Sequence, residues 1–173
     1  MLTRQEQITS QYATRDNLEA RRSIYRHRQP PLDLSHEVLR HLDGVNGAVL
    51  DVGCGPGVYT GRPRELRPEL AGLFRQATAQ VTGEPVGWDE LDRFTLEDGE
   101  RLARRHFTDV ERIDFRGEVV VPDVTELMGF FASIRELYAH RVPFDAVLRR
   151  VADSVAGQDG YRFTSHVGLL VCR

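Results

Sequence analysis

A short, largely apolar segment, Ala48-Val49-Leu50-Asp51-Val52, runs straight into Gly53-Cys54-Gly55-Pro56-Gly57, the richest glycine cluster in the chain. Apolar on both faces and bounded by glycine, the segment reads as a central strand of a parallel sheet. A strand of that kind needs cover on both sides, which points to an α/β architecture. Its C-terminal end would open onto the crevice where ligands bind in open α/β sheets. Glycines lack Cβ, so the main chain can turn tightly and a ligand can approach backbone atoms. A helix starting after Gly57 would aim its N-terminal N–H groups at polar groups of that ligand.

The rest of the chain supplies helices and two longer strands. Thr3 to about His27 reads as a polar helix with a sparse stripe of Ile8, Tyr12, Leu18 and Tyr25, ended by Gln29-Pro30-Pro31. A second helix is expected from Ser35, as N-cap, to Leu42, with Val38, Leu39 and Leu42 on one side and Asp43-Gly44 as the stop. Pro68 to Val81 predicts a helix whose apolar face is Leu70, Leu73, Phe74, Ala77 and Val81. Gly83 to Gly87 reads as a loop. Thr95-Leu96-Glu97-Asp98 resembles a capping box opening a helix to about His106.

Val110 to Val121 alternates. Ile113, Phe115, Val119 and Val121 fall on one face and Arg112, Asp114, Arg116 and Glu118 mostly on the other, giving a half-buried strand with a bend expected at Gly117. Two helices follow. One carries Leu127, Phe130, Phe131, Ile134, Leu137 and Tyr138; the other carries Phe144, Val147, Leu148, Val151 and Val155. Tyr161 to Val171 closes the chain as a strand.

Composition narrows the chemistry. The length of 173 residues suits a single domain. All 23 basic residues are arginine, which removes a Schiff-base lysine, a lysine base and the lysine of a phosphate-binding P-loop. A net charge of −3 creates no basic field, so nucleic acid is not an expected partner. No apolar run approaches the roughly 20 residues of a membrane span. The N-terminal residues lack the apolar core of a signal peptide, so no membrane association and a cytoplasmic location are expected.

Cys54 and Cys172 lie far apart and read as free thiols, and the histidines form no convergent metal set. His106, His140 and His166 stand apart in sequence and read as surface or capping groups, with an acceptor-site base as the sharper alternative. Arg21, Arg22, Arg26 and Arg28 read as a solvated helix face. Phe130, Phe131 and Tyr138 read first as core and second as an apolar acceptor pocket. Trp88 reads equally as packing or as a pocket wall.

The glycine loop carries the sharpest signal. The dinucleotide pattern G-x-G-x-x-G would require glycine at Val58, and the Walker pattern would require a lysine. What remains is acid-x-G-x-G-x-G. On Val49-Leu50-Asp51-Val52-Gly53-Cys54-Gly55-Pro56-Gly57 the chain resembles the class I S-adenosylmethionine (SAM)-dependent methyltransferases. The resemblance implies that Asp51 sits near the α-amino group of SAM, and that Asp51, Gly53, Cys54, Gly55 and Gly57 contact the cofactor. Tyr12, on a helix like the one these enzymes lay over the cofactor, joins that set. It also implies a small-molecule methyl acceptor. Phe107 to Arg173 looks like the family's closing arrangement, in which the last strands pair antiparallel and helices between them shape the acceptor pocket.

The resemblance breaks after the loop. A second strand ending in an acid about 20 residues beyond the glycines would hold the ribose hydroxyls. Here Gly61-Arg62-Pro63 follows almost at once, and Glu65 and Glu69 lie near the right distance without an apolar run before them. The expected fold is therefore a Rossmann-like SAM-methyltransferase fold lacking the central strands of the usual seven-stranded sheet, with several covering helices. One domain, 1–173, is expected: a helical cap over 1–46, the first strand and glycine loop over 47–60, and late helices with two antiparallel closing strands over 61–173. The exposed edges of a lone parallel strand predict either a homo-oligomer that completes the sheet or a chain of low stability. Two functions compete: a SAM-dependent methyltransferase, or an inactive remnant of one serving as an oligomerisation or binding partner.

Overall fold

The computed structural model describes residues 16–42, 68–87 and 96–173. The alternation between Val110 and Val121 and between Tyr161 and Cys172 sets the framework. These are β2 (Val110–Val121) and β3 (Tyr161–Cys172), paired antiparallel in unbroken register from Val110↔Cys172 to Val121↔Tyr161. Directly opposite residues share a face. Ile113, Phe115, Gly117, Val119 and Val121 therefore stand with Leu169, Val167, Ser165, Phe163 and Tyr161, and Asp114, Arg116 and Glu118 stand with Gly168, His166 and Thr164 on the reverse. A third strand, β1 (Arg28–Gln29), adds to the other edge of β2 at Arg28↔Val119 and Gln29↔Glu118. The described sheet is thus three-stranded and antiparallel, in the order β1-β2-β3.

Seven α-helices accompany it among the described residues: α1 (Asp16–Ser23), α2 (Leu34–Leu42), α3 (Pro68–Thr82), α4 (Leu96–Ala103), α5 (Val124–Ala132), α6 (Arg135–Tyr138) and α7 (Phe144–Val155). The protein is therefore a mixed α/β fold. Three of the helices, α5 to α7, are inserted between β2 and β3. Pro122 follows the last residue of β2, and Asp123 caps α5 by accepting a 2.7 Å bond from the Thr125 N–H. α7 ends at Val155, and Gly157 then takes φ +76°, the left-handed geometry glycine supplies after a helix.

The core fills the space between one sheet face and these helices. Val119, Val121 and Phe163 meet Ile24, Leu70, Phe74, Leu127, Phe131, Tyr138, Phe144, Val147 and Val151, all 3% exposed or less. Phe74 is the hub: its ring lies 5.0 Å from that of Tyr138 and 6.2 Å from those of Phe131 and Phe144. Phe130, Phe131 and Tyr138 are accordingly core. The opposite sheet face is covered by α4, with Leu96 seated where a side chain on Gly168 would stand.

Several expectations are corrected. The first helix does not continue to His27. It ends at Ser23, passes through a 3₁₀ turn (Ile24–His27) and becomes β1, because Ile24 buries into the core and Arg28 pairs with Val119. Asp33, not Ser35, caps α2, accepting from His36 N–H at 3.1 Å. No residue of α2 is buried, and Leu39 is 65% exposed. α4 stops at Ala103 and gives way to a turn before His106.

The helix expected over Leu127 to Tyr138 is two helices. The Ser133 hydroxyl donates back to the Phe130 carbonyl at 2.6 Å, and Ile134 leaves helical geometry at φ −100°, ψ 7°. The β2–β3 register runs through Gly117↔Ser165 without a bulge. Ile113 and Phe115 are only half-buried, because the core covers the Val119–Val121 end of their face. The first strand and glycine loop over 47–60, the Asp43-Gly44 stop, Trp88 and Thr95 lie outside the described residues. Among the described residues, no helix is long and apolar enough to cross a membrane.

Candidate functional site

The paired strands β2 and β3 present two polar clusters, one on each sheet face. On the face under α4, the His166 Nε2 lies 2.5 Å from Asp114 Oδ1, with His166 itself only 9% exposed. Asp114 also accepts two bonds from Arg112, from Nε and Nη2, both at 2.9 Å. Arg112 reaches on to Glu97 at 3.1 Å and Glu100 at 3.4 Å, both on α4. Strand alternation puts these side chains on one face, and the first two turns of α4 lay Glu97 and Glu100 against the guanidinium.

The Arg112 guanidinium, with a smaller contribution from His166, holds the Asp114 carboxyl below its ordinary value of 3.8. The bonds that Arg112 donates to Asp114, Glu97 and Glu100 raise its guanidinium in turn. This cluster can hold an imidazole in one orientation and offer it a permanent negative partner. His166 is thus a sheet histidine with a carboxylate partner, not a surface or capping one. His106 and His140 are exposed.

The sign of the pH effect follows from the direction of the Asp114 shift. A carboxyl whose pKa is depressed on folding contributes stability that is present above its unfolded value and lost as pH falls through its folded value. Chemical denaturation at pH 7 and at pH 3 is expected to show a smaller acid loss in Asp114→Asn than in the wild type. An identical loss in both proteins would contradict this assignment.

On the opposite face, Arg28 from β1 lays its guanidinium over Gly117, and Ser165 stands directly across from that glycine. Arg28 is 5% exposed and Ser165 fully buried, so Arg28 does not belong to the solvated arginine face expected from sequence. Arg22 and Arg26 do remain exposed. The physical reason is the β1 pairing, which turns Arg28 inward beside Val119.

Glu69 stands near the place in sequence where an acid could serve ribose hydroxyls, but it is committed elsewhere. Its carboxylate accepts from the Thr164 hydroxyl at 2.7 Å and from the Thr164 N–H at 3.0 Å. Burial pushes this carboxyl up, and the Thr164 bonds more than offset that, leaving it below its usual range. Tyr161 donates to the Glu69 carbonyl at 2.9 Å, and burial, with the nearby Glu69 charge, pushes its phenol up to about 12. Together these bonds pin the first turn of α3 to β3.

Tyr12, Asp51, Gly53, Cys54, Gly55 and Gly57, the residues the resemblance implicates in cofactor binding, lie outside the described residues, as does Glu65. Among the described residues, no group of three or more His, Cys, Asp and Glu side chains could hold a metal ion. Cys172 is a free thiol, pushed up by burial. An open recess of about 580 Å³ between α3 and α7 is lined by Gln80, Val81, Ala146, Arg149, Arg150 and Asp153. Its charged groups are exposed, and Arg150 is paired with Asp153 at 3.7 Å. No family model matches the chain, and no curated protein matches it.

Proposed function

We propose that the protein is a class I SAM-dependent methyltransferase with a Rossmann-like fold shortened in the middle of its sheet, working in the cytoplasm as a homo-oligomer. The observation that carries this reading is the acid-led glycine segment Asp51-Val52-Gly53-Cys54-Gly55-Pro56-Gly57 directly after an apolar stretch. The antiparallel pair β2–β3, with α5 to α7 inserted between its strands, supports it as the closing arrangement such a fold would have.

The loop chemistry fits one half of the ligand. A carboxylate at Asp51 suits the ammonium of the methionine part, and three glycines allow close backbone approach. Gly53, Cys54, Gly55 and Gly57 would cup that part, with Tyr12 over it. The adenosine half has a weaker case, because Glu69 is occupied by Thr164. Bound SAM supplies an electrophilic sulfonium methyl to an O, N or C nucleophile of a small-molecule acceptor. The chain's own part is to align the two reactants and exclude water, for which no base is required.

Calorimetric titration with S-adenosylhomocysteine tests the reading. The wild type is expected to bind, and Asp51→Ala to lose about tenfold or more in affinity, as deletion of a charged hydrogen-bond partner does. No heat at millimolar ligand would instead favour an inactive remnant acting as a binding or oligomerisation partner.

A further inference from the structure

We infer that Arg28 and Ser165 form a binding site for the carboxylate of an apolar ligand, such as an aryl or alkyl carboxylate. The inference stands apart from the methyltransferase reading. It begins with two buried polar atoms that have no partner among the described residues: Nε of Arg28 and Oγ of Ser165. Among the described residues, the Arg28 guanidinium forms a single hydrogen bond, from Nη1 to the Pro30 carbonyl, and has no carboxylate within ion-pair distance. Several other arginines are paired. Arg112, Arg104 and Arg135, for instance, each lie on a carboxylate. A guanidinium 5% exposed and lacking a counter-ion is costly to bury, and it is rarely found without an anion to meet it.

The two orphaned groups are neighbours. A Cβ at Gly117 would lie 2.7 Å from Arg28 Cζ, and Ser165 is the cross-strand partner of Gly117 on the same face. Opposite side chains on one sheet face are about 5 Å apart, which puts Ser165 beside the position the Arg28 guanidinium takes over Gly117. A carboxylate accepting from the Arg28 Nε–H and the Ser165 hydroxyl satisfies both groups at once. The absence of a side chain at Gly117 is what leaves room for the guanidinium.

The surroundings specify the rest of the ligand. On one side of the pair lie Val119 and Phe163, sealed in the core. On the other side the same sheet face continues through Phe115 and Val167, both only half-buried. A ligand entering from that side would lay an apolar body on Phe115 and Val167 with its carboxylate at the buried end. A single negative charge matches the single cation, which favours carboxylate over phosphate.

Arginine Nε–H resonances in ¹⁵N-labelled protein read this site directly, with Arg28→Lys identifying the Arg28 signal. Titration with benzoate is expected to shift that signal saturably in the millimolar range. Neutral benzamide should leave it in place, and Ser165→Ala should weaken the benzoate response several-fold. Arg28→Met, which removes the uncompensated cation, is expected to melt no lower than the wild type and to ignore benzoate. Three results would overturn the inference: an Arg28 signal unmoved by benzoate, saturation by inorganic phosphate at equal or lower concentration, or a marked fall in the melting temperature of Arg28→Met. The last would mean that the chain itself satisfies the guanidinium.

Discussion

Phe74→Ala is expected to lower the unfolding free energy by about 3–5 kcal/mol, the range found when a fully buried phenylalanine is cut back to alanine. Phe74 is 0% exposed and touches three aromatic rings that come from three different helices or their junctions. Loss of its ring would leave a void that Phe131, Tyr138 and Phe144 cannot all close, because each is itself fixed in the core. For a chain of this length the melting temperature should fall by roughly 10 °C. Equilibrium urea denaturation checks the figure. A loss below about 1 kcal/mol would mean that α3 does not pack on α5, α6 and α7 as described.

Gly160→Ala is expected to cost about 2–4 kcal/mol, from two sources that add. Gly160 has φ +94°, a conformation that side-chain-bearing residues rarely adopt. A Cβ there would also stand 2.8 Å from the carbonyl oxygen of Val121, a backbone atom at the end of β2 that cannot simply rotate away. The turn into β3 would have to open, loosening the Val121↔Tyr161 end of the ladder. Gly72 is the matched control. It lies within α3, is exposed, and has nothing within 4 Å of its notional Cβ. Gly72→Ala should therefore stabilise the protein by roughly 0.5–1 kcal/mol through helix propensity alone. The two variants, compared by denaturation, separate backbone geometry from composition.

Where one periodicity ran uninterrupted, the sequence was a good guide to structure. β2 occupies the residues expected of it, and α3 runs one residue beyond the expected end at Val81, with Leu70, Leu73, Phe74 and Ala77 buried as predicted. Alternation also put Ile113, Phe115, Val119 and Val121 on one face of β2, as found. Features set by tertiary contact were not legible. Two-residue β1 carries no pattern of its own and exists because β2 offers it an edge at Val119. The break between α5 and α6 rests on one serine hydroxyl bonding backwards, which no apolar spacing records.

The polar clusters were hidden for a related reason. Asp114 and His166 are 52 residues apart and meet only because of the β2–β3 register. With both strands recognised, pairing them antiparallel would have put Asp114 across from Gly168 and next to His166, so the signal was there to be found. Arg28 looked like one more helix-surface arginine until β1 turned it inward over Gly117. The glycine loop is the reverse case. It is the clearest chemical signal in the sequence and falls outside the described residues, so its test has to come from solution.

That test is a titration of ¹⁵N-labelled protein with S-adenosylhomocysteine, following the backbone amides of Gly53, Gly55 and Gly57. The account predicts that the three glycine signals move together and saturate, and that Asp51→Ala shifts the midpoint of that movement about tenfold or more to higher ligand concentration. Glycine signals that stay fixed at millimolar ligand, in a protein that remains folded, would contradict it.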